Sequence, residues 1–149
     1  MYSVWLSQEE QEIWRAYLAM VSALDTAMNR QLQADCGLSR SDYDVLVIVA
    51  EQGPLRMNAL GEALGWEQSR LSHQLRRMRE RALVVRAGTA EDRRGATVSL
   101  TAAGRAALRK AAPGHAALIR ELVFAPLSPA QREAFGAVVR GVLERARSG

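Results

Sequence analysis

Eight arginines stand in the thirty residues from Trp66 to Gly95: Arg70, Arg76, Arg77, Arg79, Arg81, Arg86, Arg93 and Arg94. Only Glu67, Glu80, Glu91 and Asp92 oppose them. This segment therefore carries the chain's whole net charge of +4, and the remaining twelve basic and twelve acidic residues cancel. Guanidinium groups present flat, permanently charged forks that match phosphate oxygens. A positive field concentrated on one short element is the electrostatic footprint of a nucleic-acid reader. Arginine outnumbers lysine nineteen to one along the chain, which reads first as genomic base composition; the clustering, not the abundance, carries the inference. Other chemistry is sparse. His73 and His115 are far apart, Cys36 is the single cysteine, and no metal-ligand cluster, phosphate-cradling glycine loop or nucleophile motif is present. The residues thus point to no enzyme, no cofactor and no metal, and one cysteine makes no internal disulfide.

The composition, 48% apolar and 24% charged, is that of a globular chain, and 149 residues suit one domain or a core with helical extensions. No window approaches eighteen uncharged apolar residues, so no membrane span is expected. Early acids (Glu9, Glu10, Glu12) and the lack of a basic leader argue against a secretory signal and point to the cytoplasm.

The elements that must hold the arginines follow from period and punctuation. Ser7 with Glu10 forms a capping box that opens a helix from about Ser7 to Ala34. Two adjacent apolar stripes run along it, Ile13–Tyr17–Leu24–Met28 and Trp14–Leu18–Val21–Leu32, and so wide an arc needs two partners. Its length of roughly 42 Å exceeds what one small core covers. Cys36-Gly37 ends it. Ser39 or Ser41 caps a second helix bearing Tyr43, Leu46, Val47, Val49 and Ala50, which stops at Gly53-Pro54. A third covers about Met57 to Leu64, with Gly65 as terminator. A fourth runs from about Glu67 to Arg81, with Leu71, Leu75 and Met78 at i, i+4, i+7. Two short helices joined by a tight glycine-bearing turn make a helix-turn-helix. The period then becomes alternating: Leu83–Arg86 and Ala96–Leu100 read as strands of a hairpin, the wing, with a long polar tip from Ala87 to Gly95. Thr101 caps a fifth helix through about Lys110, which Pro113-Gly114 kinks or breaks before it resumes toward Phe124. Pro126 ends it. Ser128 and Pro129 open a last helix with Phe135, Val138, Val139, Val142 and Leu143.

This order of elements, together with Glu91-Asp92-Arg93-Arg94-Gly95 followed by Val98, Leu100-Thr101 and Gly104, resembles the MarR family of winged-helix transcription regulators. The helix pattern around Leu60, Leu64-Gly65, Ser69, Leu71, Leu75, Met78, Leu83-Val84 and Arg86 fits as well, so the resemblance covers nearly the full length. Three positions depart from it: Ala82 where glycine is usual, Gly61 where alanine is usual, and Arg56 at a cap position commonly Ser or Thr. The resemblance implies a mainly α (α+β) fold: a winged helix-turn-helix with a two-stranded wing, flanked by long dimerisation helices. Residues 1–36 and 101–149 would form the dimerisation helices and 37–100 the DNA-binding lobe.

In that frame the fourth helix turns Leu71, Leu75 and Met78 inward. It presents Gln68, Ser69, Ser72, His73 and Arg76 outward, with Arg70 and Arg77 at the edges. Ser69, Arg70, Ser72 and His73 are the candidates for base edges or adjacent phosphates, and Arg76, Arg77 and Arg79 for phosphates. A charged helix face standing alone is usually only solvated; its coupling to the wing motif makes the case. On the hairpin, Arg86, Asp92, Arg93 and Arg94 complete the set. Arg94 would enter the minor groove, with Asp92 holding its guanidinium. The resemblance further implies a homodimer on a pseudo-palindromic operator, a repressor, and a small aromatic or phenolic effector in a cleft where Trp14, Tyr17 and Tyr43 are candidates and His115 a more distant one. Aromatic residues at helical spacing are more often plain packing. Cys36 lies at the wrong end of its helix for the family's peroxide sensors, and neighbouring Asp35 disfavours a thiolate. The competing reading is a helical protein–protein interaction module that does not bind DNA.

Overall fold

The computed structural model describes residues 4–88 and 95–149. Helix α1 (Gln8–Cys36) begins at the expected capping box: Glu10 N donates to Ser7 Oγ at 3.1 Å and Ser7 N to Glu10 Oε2 at 2.8 Å. Helix α2 (Arg40–Gln52) is capped by Ser39, not Ser41, because Asp42 completes a second capping box. Helices α3 (Met57–Leu64) and α4 (Gln68–Glu80) enclose the tight turn. There Gly65 takes φ +70°, a left-handed conformation that brings its N–H and that of Trp66 back onto α3 carbonyls.

Strands β2 (Val84–Ala87) and β3 (Thr97–Leu100) form the antiparallel hairpin, with Val84 opposite Leu100 and Ala87 opposite Thr97. The sheet has one strand more than the sequence suggested: β1 (Leu55–Arg56) pairs with the other edge of β3, giving the order β1-β3-β2. Two residues carry no period, so β1 had no pattern to betray it. It ties the start of α3 to the tip-side half of β3, at Thr97 and Val98.

Helix α5 (Ala102–Ile119) is a second difference, since it passes through Pro113 unbroken. A mid-helix proline removes one hydrogen bond and costs about 3 kcal/mol. Packing of α5 along α1, with Ala111 fully buried, holds the helix through it. The register loosens later, in a π-helical turn at Arg120–Phe124, before α6 (Pro129–Ser148) starts at the Ser128–Gln131 capping box.

The core gathers Leu32 and Leu38 with Val45, Leu46 and Val49 of α2, Leu60 of α3, Leu71, Leu75 and Met78 of α4, and Val84, Val98 and Leu100 of the sheet. Only Met28 and Leu32 of α1 are buried. Ile13, Trp14, Tyr17, Leu18, Met20 and Val21 remain exposed, as do Phe135, Val138, Val139, Val142 and Leu143 of α6. Both stripes of α1 thus leave the chain's own core, and α6 buries no residue at all.

Ala82, between α4 and β2, sits at φ +57°. A left-handed non-glycine residue carries a penalty of about 1 kcal/mol. Ala82→Gly is expected to raise unfolding stability by about that amount, reduced by the extra freedom glycine gives the unfolded chain. Urea denaturation checks it: an unchanged or lower midpoint would mean the turn carries no such strain.

Candidate nucleic-acid interface

Helix α4 is amphipathic with its two faces fully separated. Leu71, Leu75 and Met78 are completely buried, whereas Gln68, Ser69, Arg70, Ser72, His73, Arg76 and Arg77 are exposed. Arg77 and Arg79 occupy its last turn, where the helix dipole favours cations. Arg76 Nη2 donates to Nδ1 of His73 at 3.3 Å. In that contact the ring nitrogen accepts, because a guanidinium can only donate. Arg86 is exposed on β2. Asp92, Arg93 and Arg94 lie outside the described residues.

The arginines differ in what they touch. Arg70 lies over the Trp66 ring, 4.1 Å from its centroid, a cation–π contact that draws it back toward a polar cleft lined by Asp25, Asn29, Arg40, Ser41 and Asp44. Arg81 turns inward onto Asp42. Among the described residues the ion pairs involve only Arg40 and Arg81 with Asp25, Asp42 and Asp44, so the guanidinium groups of Arg76, Arg77 and Arg86 face no carboxylate. A solvent-facing row of unneutralised cations beside hydroxyl and imidazole groups can grip phosphates and reach base edges from one helix.

The same architecture is found in known regulators. The chain aligns with a DNA-bound crystal structure of Sco3205, a MarR family transcriptional regulator from Streptomyces coelicolor, at TM-score 0.88 and 37% identity, covering 96% of this chain and 91% of that one. This chain belongs to the MarR family. The MarR family model itself matches residues 37–95. AbsC, another MarR family transcriptional regulator of Streptomyces coelicolor, aligns at TM-score 0.90 and 34% identity, covering 99% of this chain and 100% of AbsC. YfiV of Bacillus subtilis, an HTH-type transcriptional regulator, is 29% identical over 131 residues, which are 87% of this chain and 79% of YfiV. MarR family members are transcriptional regulators, not enzymes. Among the described residues no helix is long and apolar enough to cross a membrane.

The effector candidates are not all together in this MarR chain. Trp14 and Tyr17 stack on each other, centroids 5.3 Å apart, on the exposed half of α1. Tyr43 is buried and instead meets His115 of α5, centroids 4.5 Å apart. Together with Val47, Ile48, Ala63 and Leu64 they line a cleft of about 370 Å³. Asp44 joins this cleft to the polar one beside Arg70, which is lined by Leu64 as well. Sequence spacing had left His115 remote, because only tertiary packing of α5 against α2 brings it to Tyr43. Asp42 and Gln74 were also missed, since a pairing between distant segments leaves no local period.

The cleft perturbs its own titrations. Burial, aided by Arg40 and opposed by Asp44, holds His115 below the ordinary imidazole value of 6.5. Its Nδ1 is buried with no hydrogen-bond partner among the described residues. Burial also lifts Tyr43 above its ordinary value, and lifts Asp44 above 3.8 against the pull of Arg40 and His115. A lowered imidazole pKa means that the fold favours the neutral ring. That contribution is complete above pH 6.5 and is lost as pH falls toward the folded-state value, because the unfolded chain takes up the proton first. The raised Asp44 acts oppositely, recovering stability as pH falls through its folded value toward 3.8. Melting temperature is therefore expected to drop as pH falls just below 6.5, and His115→Phe is expected to remove that drop. Parallel curves for the two proteins would assign the pH dependence elsewhere.

Proposed function

We propose that this MarR-family chain is a ligand-responsive repressor that binds double-stranded DNA in a sequence-specific manner, as a homodimer on a pseudo-palindromic operator. The observation that carries the reading is α4: an inner stripe buried completely, and an outer face of Gln68, Ser69, Ser72, His73, Arg76 and Arg77 open to a groove. On this reading residues 37–100 form the DNA-binding lobe, and Arg86, Asp92, Arg93 and Arg94 complete the interface on the hairpin, Arg94 entering the adjacent minor groove with Asp92 holding its guanidinium. The exposed apolar faces of α1 and α6 support a dimer built by residues 1–36 and 101–149, since so much uncovered hydrophobic surface marks an interface. A two-fold axis then sets two α4 helices about one DNA turn apart. The Tyr43–His115 cleft supports a small aromatic or phenolic effector, with Trp14 and Tyr17 contributing if a second copy of α1 brings them near. Such a molecule acts only through different affinities for the two spacings of α4.

Selection from a random duplex pool, followed by gel shift of the enriched sequence, tests the core of this reading. The expected outcome is an inverted repeat, bound with a steep salt dependence and released by some aromatic acids or phenols. No enrichment at low salt would overturn DNA binding in favour of a protein-binding role, and a direct repeat or single half-site would overturn the two-fold dimer.

A further inference from the structure

Asp42 is nearly buried, with only 5% of its side chain exposed, and its carboxylate accepts three hydrogen bonds. Its Oδ1 accepts from Gln74 Nε2 at 2.6 Å. Its Oδ2 accepts from Arg81 Nη1 at 2.7 Å and from Ser39 N at 2.9 Å. Arg81 uses its other arm, Nη2, to donate to the carbonyl of Gly37 at 2.8 Å. One carboxylate thus joins the α1–α2 corner, the start of α2, and α4 both at Gln74 and at its capping residue, Arg81. Gln74 and Arg81 are seven residues apart, roughly 10 Å along the helix. Two attachments at that spacing resist both rotation of α4 about its axis and sliding along it, which a single contact does not. Leu71, Leu75 and Met78 supply adhesion, but apolar packing is not directional; the ionic fork is.

From this geometry we infer that Asp42 and Arg81 are positioning residues for the recognition helix: they set the angle at which α4 meets DNA without touching DNA themselves. Arg81 is thereby removed from the phosphate-binding arginines, although it belongs to the same cationic segment. The clamp also links α4 directly to the end of α1, so a shift of the α1–α2 corner moves the reading helix as one piece. The inference rests on the proposed DNA binding.

The experiment uses the duplex that the wild-type protein enriches from a random pool, and a scrambled duplex of equal length. Asp42→Asn keeps the shape but points an N–H₂ at one of the three donors. Arg81→Ala removes the fork. Each is expected to weaken binding to the enriched duplex by about tenfold, with affinity for the scrambled duplex and its salt slope unchanged. The double variant is expected to be no worse than either single one, because the two act as a unit. Gln74→Ala, which leaves the Asp42–Arg81 pair standing, is expected to fold normally and lose a few-fold of the same specific affinity. Wild-type affinity for the enriched duplex in all these variants would overturn the inference. So would a salt slope lowered by Arg81→Ala, which would make Arg81 a phosphate contact. A wild-type protein that enriches no duplex would instead sink the DNA-binding reading, and the positioning role with it.

Discussion

Alanine at Gly104 is expected to be the most destructive single-carbon change in the chain. Gly104 lies in the first turn of α5, and a Cβ there would be driven into the carbonyl oxygen of Leu83, with the Leu83 carbonyl carbon at 3.1 Å and Leu46 Cδ2 at 3.5 Å. The obstacle is backbone, and it is pinned. Leu83 O accepts from Thr101 N at 3.1 Å, Thr101 Oγ1 donates to Ala82 O at 2.6 Å, and the same hydroxyl accepts from Gly104 N at 2.9 Å. Relief requires separating the start of β2 from the start of α5, which loosens the whole wing. We expect a loss of at least about 3 kcal/mol, the range of severe overpacking, seen as a large fall in the urea midpoint or failure to accumulate folded protein. Gly61→Ala is the control. Its added carbon meets chiefly the movable Gln68 amide, at 2.6 Å, with Trp66 O at 3.4 Å. It is expected to stabilise by up to about 1 kcal/mol through helix propensity. Equal effects of the two changes would show that close approach at Gly104 is not what the fold needs.

That contrast marks what a sequence can disclose. Gly104 stood in the family motif, but its reason, an oxygen of Leu83 across the turn, is a tertiary fact. Signals written in neighbouring residues were legible: the box at Ser7–Glu10, the Ser128 cap with Pro129 behind it, the Gly65 turn, and the Leu71–Leu75–Met78 stripe all reappear in the structure. So did the surplus of apolar surface on α1, because a stripe wider than its core must remain uncovered. What escaped was settled by distance along the chain. Asp42 and Arg81 are 39 residues apart, and their pairing has no period to read. The fifth helix survives Pro113 because of what α1 places beside it. Arg70 stood at the helix edge as a candidate for base edges or adjacent phosphates, and the Trp66 ring beneath it is a contact that helical spacing does not announce. Residue type thus located the candidate interface, while packing decided which of its arginines are turned outward.

Replacing Arg76 and Arg77 together is expected to produce the largest loss of DNA affinity. Both are exposed, and neither pairs with a carboxylate among the described residues. The double alanine variant should therefore fold almost normally, losing only the few tenths of a kcal/mol that a cation contributes in the last turn of α4. Binding is different, because each phosphate neutralised contributes about −0.9 to the slope of log affinity against log salt. In a homodimer two arginines per chain make four contacts. The slope is expected to become shallower by about 3.6, and affinity at 0.1 M salt to fall on the order of a thousandfold. The slope also counts subunits: a change of about 1.8 would mean that one copy of α4 contacts DNA. Ser72→Ala is expected to leave the slope unchanged and alter which sequences are preferred, as a base-edge contact would. If the double variant keeps the wild-type slope, these arginines face water and α4 does not track the phosphate backbone.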